Sequence, residues 1–161
     1  MIVVADTSVL LLLCRVGLGE LFNKLFDEVV IPPEVAAEFQ RVVISSSVFA
    51  GLKLPIGIRQ QAPTLISPIV RAVEGLPSGH SAAVSLAVEI HADAVLIDER
   101  RGHEVARLLG LRRIGVFAIL LRAKAANYLP AIEPILDALQ RDAGCCIVEP
   151  LRQNLLDLAG E

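Results

Sequence analysis

Two aspartates stand directly after short apolar runs. Asp6 follows Ile2-Val3-Val4-Ala5, and Asp98 follows Ala94-Val95-Leu96-Ile97. Apolar runs of that length, bounded by polar residues, read as buried strands. A carboxylate at the carboxyl end of a strand sits where open α/β sheets bind ligands. Two such ends side by side would make an acidic edge suited to a divalent cation, because Mg²⁺ and Mn²⁺ take carboxylate oxygens and water. One or two such ions can supply a nucleophilic water and relieve charge at a phosphodiester. That chemistry calls for several carboxylates converging from separate elements.

Other acids are weighed by position. Glu34 and Glu38 lie four residues apart on a helix and share a face. Glu34 falls in the first turn, where an acid complements the helix dipole. Glu38 lies a turn deeper among Val35, Ala36, Ala37 and Phe39, so its charge needs solvent or a partner and it is the better ligand candidate. Asp93 precedes the strand that Asp98 ends, roughly 16 Å away along an extended chain, and is left out of the site. Thr7 and Ser8 suit a helix N-cap, and a hydroxyl beside Asp6 could equally orient a metal-bound water.

The elements that must position these groups alternate. Strands are expected at Ile2–Ala5, Val29–Ile31, Ala94–Ile97, Ile114–Val116 and Cys145–Val148. Helices are expected over Ser8–Val16, Gly19–Phe26, from Pro32-Pro33 to Val42, from Ser78 to Ile90, Gly102–Leu109, Ala118–Ala126, Pro130–Gln140 and Pro150–Leu158. Four prolines between Ser45 and Ser78 leave room there only for a short strand and a short helix. The alternation implies an α/β chain with a largely parallel sheet covered on both faces. At 161 residues it makes one domain, 1–161.

Composition narrows the function classes. No apolar run approaches the roughly 20 residues of a membrane span, and no basic segment leads an apolar one, so a cytoplasmic chain is expected. Net charge is −3, but Arg100 to Lys124 carries seven bases against one acid, Glu104. That stretch reads either as solvated helix faces or as a phosphate-contacting rim beside Asp98. The three cysteines show neither disulfide nor metal spacing and read as structural thiols. No glycine-rich phosphate loop is present, which argues against an ATP- or GTP-using enzyme. A phosphoacceptor receiver domain is disfavoured too, since Asp6 stands alone in its loop and Lys124 lies in a helix.

Taken together, Val4-Ala5-Asp6-Thr7-Ser8, Ile31-Pro32-Pro33-Glu34-Val35 leading to Glu38, Ala92 to Gly102 and the Gly115–Lys124 stretch resemble the PIN-domain family, in particular PIN-like proteins close to VapC toxins. The resemblance spans nearly the whole chain and is weakest from Val43 to Pro77. It implies a three-layer α/β/α fold and Mg²⁺- or Mn²⁺-dependent RNA cleavage. It also implies an antitoxin partner in a type II toxin–antitoxin pair and a homodimer. By position Asp6, Glu38 and Asp98 match the family's catalytic, metal-holding acids, and Arg100 and Arg101 are placed to contact RNA phosphates. The chain departs from the pattern after Gly79, where an acid is expected and His80 stands instead. Imidazole suits Mn²⁺ or Zn²⁺ better than Mg²⁺. His80 is thus a tolerated replacement in an active nuclease, the mark of an impaired module that binds RNA or a protein, or an altered ligand or general base.

Overall fold

The computed structural model describes residues 1–161. Five strands form one sheet: β1 (Ile2–Ala5), β2 (Glu28–Ile31), β3 (Arg59–Gln60), β4 (Ala94–Leu96) and β5 (Arg113–Ile114). Their order is β3-β2-β1-β4-β5, and every pairing is parallel. Val3, Val4 and Ala5 are all fully buried, so the central strand is covered on both faces, as the continuous apolar run requires.

Nine helices surround the sheet. They are α1 (Thr7–Arg15), α2 (Leu21–Leu25), α3 (Pro33–Ser45), α4 (Pro68–Arg71), α5 (Ser78–Glu89), α6 (Arg100–Leu108), α7 (Val116–Ala125), α8 (Glu133–Ala143) and α9 (Glu149–Ala159). One cluster of 35 buried apolar residues forms the core. A small second cluster, Val70, Val84 and Val105, joins α4, α5 and α6.

Chain order and sheet order diverge at one place. The chain runs outward from β1 to β2 and β3, then returns past β1 to β4 on its other side. The carboxyl ends of β1 and β4 therefore flank the switch point, where such sheets leave a crevice for ligands. Ala5 pairs with Leu96, and the Asp6 N–H donates to the Leu96 carbonyl at 2.9 Å. Asp93 lies at the opposite edge, taking a hydrogen bond from the Ile2 N–H at 2.7 Å.

Three expected elements are corrected. Cys145–Val148 is not a strand: it crosses from α8 to α9, burying only Ile147, and its contacts go to α8 through the Cys145 N–H and Gln140. The helix expected from Pro130 starts at Glu133, because Pro134 is tolerated only in a first turn and would clash with the carbonyl of Pro130. The strand expected through Val116 ends at Ile114, and Val116 already opens α7.

Candidate active site

Asp6 is completely buried at the N-cap of α1, but its side chain caps nothing. Its Oδ2 accepts a hydrogen bond from Ser8 Oγ at 3.1 Å, while Oδ1 is buried with no hydrogen-bond partner. Burial raises the carboxyl above its usual range, against the opposing pull of nearby His80. A buried carboxylate with an unused oxygen is costly unless something pairs with it. Thr7 and Ser8 do not cap the helix as their types suggest. Each hydroxyl holds a carboxylate: Ser8 that of Asp6, and Thr7 Oγ1 that of Glu38 through Oε2 at 3.1 Å.

Glu38 comes from α3 and is half-buried, whereas Glu34 is exposed in the first turn of the same helix. Its carboxylate passes over Gly79 of α5, where a Cβ would collide with Oε2. Glu38 is close enough to Asp6 to push that carboxyl's pKa up further. Asp6, Glu38, Thr7 and Ser8 thus form one group.

Asp98 follows the end of β4 and is held from the α7 side. Its Oδ1 approaches Gly115, where a Cβ would lie 2.8 Å away, and takes a long hydrogen bond from the Val116 N–H at 3.4 Å. Burial raises its carboxyl too, with that N–H and His103 opposing. The one charged group that acts on the Asp98 carboxyl is His103.

His80 lies in the first turn of α5, 3% exposed. Its Nε2 is 3.4 Å from Asp6 Oδ2 and 3.0 Å from Glu99 Oε2. Neither ring nitrogen makes an aligned hydrogen bond. Glu99 is a member of this site that the sequence pattern did not single out. The signal was its place directly after Asp98: successive residues leaving a strand point in opposed directions, so one acid faces α7 and the other α5.

Arg100 and Arg101 open α6 beside this group and are exposed. Arg101 Nη1 also donates to the Gly75 carbonyl at 3.1 Å, fastening α6 to the loop before α5. The remaining bases of the expected rim divide. Arg112 and Arg113 lie at the start of β5, and Arg107 near the end of α6. Arg122 and Lys124 are half-buried and spent on internal contacts with Met1 and Phe26, and with Pro130 and Glu161. The cysteines are free, and burial pushes the Cys14 thiol up to about 11, which fits a structural role.

The donor set fits a divalent cation. No three His, Cys, Asp or Glu side chains are gathered tightly enough to cage an ion. Mg²⁺-type ions do not require that: one or two carboxylates suffice when water and substrate phosphate complete the shell. Asp6, with its unused oxygen, and Glu38 meet that need.

Comparison with known proteins agrees with the architecture. No curated protein matches the chain. Among solved structures, a PilT N-terminus domain protein from the hyperthermophilic archaeon Sulfolobus solfataricus P2 superposes with a TM-score of 0.55 at 20% identity, covering 76% of this chain and 93% of that one. That likeness is one of fold. No helix is long and apolar enough to cross a membrane. A family model described as DUF3368, a PIN domain, matches residues 2–161, and the chain accordingly belongs to the PIN-domain family.

Proposed function

We propose that this protein is a metal-dependent endoribonuclease, acting as the toxin component of a type II toxin–antitoxin pair. The PIN domain is a nuclease-type fold, and the observation that carries the reading is the buried Asp6 carboxylate with its unpartnered Oδ1, next to Glu38 at the sheet's switch point. Asp6 and Glu38 would hold the Mg²⁺ or Mn²⁺ ion, with Asp98 approaching from β4. The ion's role when bound is to lower the pKa of a water and to offset charge on a phosphodiester. The protein's own groups do the rest. Thr7 and Ser8 fix the carboxylates, the apolar strand ends exclude bulk water, and Arg100 and Arg101 draw RNA phosphates to the edge.

The proposed partners follow from the same arrangement. A single RNA strand would lie along the α6 side. A cognate antitoxin would cover the acidic edge, and a second copy of the chain would form the homodimer. The assay is cleavage of an end-labelled single-stranded RNA by purified protein with Mn²⁺ or Mg²⁺ and then with chelator. Cleavage lost on chelation is expected, and metal-independent or absent cleavage would refute the reading.

His80 favours a second reading, a catalytically impaired PIN module that binds RNA or a protein. His80→Glu separates the two: a large gain in cleavage would mean that the native site is impaired.

A further inference from the structure

His80 is buried without the hydrogen bonds that a buried imidazole needs. Its ring is nevertheless seated closely. Gly102 of α6 leaves the space, since a Cβ there would come within 2.9 Å of His80 Cδ2 and would collide with Ile97. The ring therefore directs Nε2 between Asp6 Oδ2 at 3.4 Å and Glu99 Oε2 at 3.0 Å. Both contacts lack hydrogen-bond alignment.

Those spacings match donors that share one ion. Metal–ligand bonds of about 2.1 Å set neighbouring donors about 3.0 Å apart at right angles and about 3.4 Å apart in a tetrahedron. Asp6 Oδ1 is also without a partner. Glu99 is an N-cap residue that makes no cap hydrogen bond, and its side chain is 57% exposed, so it is free to swing inward. The set is not closed as it stands; an arriving ion would complete it by drawing Glu99 in.

We propose that His80 is a metal ligand through Nε2 at the Asp6–Glu38 site, with Glu99 as an added carboxylate partner, and that it makes the site prefer a nitrogen-accepting transition ion over Mg²⁺. The inference rests on the ion site of the nuclease reading but not on RNA cleavage. Mg²⁺ demands oxygen donors and gives up water reluctantly. Zn²⁺ and Co²⁺ take imidazole well, and Mn²⁺, lower in the same series, takes it more readily than Mg²⁺ does. The substitution of a histidine for an acid then changes the metal rather than abolishing the site, and Glu99 restores the carboxylate that position 80 lacks.

The experiment is a Mn²⁺ titration of the full chain followed by electron paramagnetic resonance, with electron spin-echo modulation reporting nitrogen bound to the ion. Wild type should show nitrogen modulation, and Mg²⁺ should displace Mn²⁺ only in large excess. His80→Glu should bind Mn²⁺ without the modulation and be at least about tenfold easier to displace with Mg²⁺. Glu99→Gln should keep the modulation and bind Mn²⁺ about tenfold more weakly, which serves if His80→Glu does not fold. No Mn²⁺ binding by wild type, no nitrogen modulation, or modulation persisting in His80→Glu would each overturn the proposal. RNA cleavage without nitrogen coupling would overturn this inference and leave the nuclease reading standing; coupling without cleavage would do the reverse.

Discussion

The carboxylate of Glu38 occupies the space that a Cβ on residue 79 would fill, so α3 and α5 bring an acid beside Asp6 only because residue 79 is glycine. The contact is with the far end of a flexible side chain. Gly79→Ala should therefore displace the carboxylate rather than the helices. We expect cleavage to fall by at least about tenfold, the cost of moving a catalytic group out of position. Thermal stability should hold or rise slightly, since alanine is favoured over glycine within a helix by up to about 1 kcal/mol. Melting curves and cleavage rates measured on the same preparation check both halves.

Asp6 sets function against stability. Burial raises its carboxyl above the ordinary 3.8, so the folded chain holds that proton more tightly than the unfolded one. Its contribution to stability is then most favourable below the unfolded value and is lost as pH rises through the raised folded value. In ion-free protein at pH 7, Asp6→Asn should raise Tm, by about 2–4 °C for each kcal/mol recovered. The gain should vanish towards pH 3. Mn²⁺ should raise the Tm of wild type but not that of the variant. Scanning calorimetry at three pH values, with and without Mn²⁺, tests the sign, and a lower Tm for Asp6→Asn at neutral pH would contradict it.

Asp98 Oδ1 is held against Gly115 and the Val116 N–H at the start of α7. Asp98→Asn should accordingly leave Mn²⁺ affinity within about threefold of wild type while lowering cleavage by at least about tenfold, as expected for a group that engages in the complex with substrate. Isothermal titration with Mn²⁺, set against cleavage rates, separates ion binding from later steps. A large loss of affinity would place Asp98 among the primary ligands of the ion.

Arg100 is almost fully exposed, with only a 3.8 Å contact to Glu104. Arg100→Ala should weaken RNA binding without altering the fold. The slope of log affinity against log salt should shrink by about 0.7, the value for one phosphate contact on a single strand. Arg101→Ala should do more, because it also releases the tie to Gly75. Filter binding across a salt series measures both.

Much of the fold was readable because the signals of the two central strands were clear. Ile2–Ala5 and Ala94–Leu96 are apolar runs in a sheet buried on both faces, so pattern and burial agree. Cys145–Val148 misled for the opposite reason: a short apolar run also describes a connector that buries one side chain, Ile147, while Cys146 and Val148 stay exposed. The site was legible as to which acids lie at strand ends. It was not legible as to direction, since adjacent Asp98 and Glu99 diverge across the crevice and only tertiary packing reveals which meets His80. The roles of Gly79, Gly102 and Gly115 were equally hidden, because each is defined by a side chain from another element.

The most direct test of the proposed chemistry is the rate at which matched preparations of wild type and Asp6→Asn cut an end-labelled single-stranded RNA in Mn²⁺. Wild type should cleave, and the variant, with its fold intact by circular dichroism, should fall to background. Equal cleavage by the two proteins would contradict a role for Asp6 and would trace the activity to a contaminant.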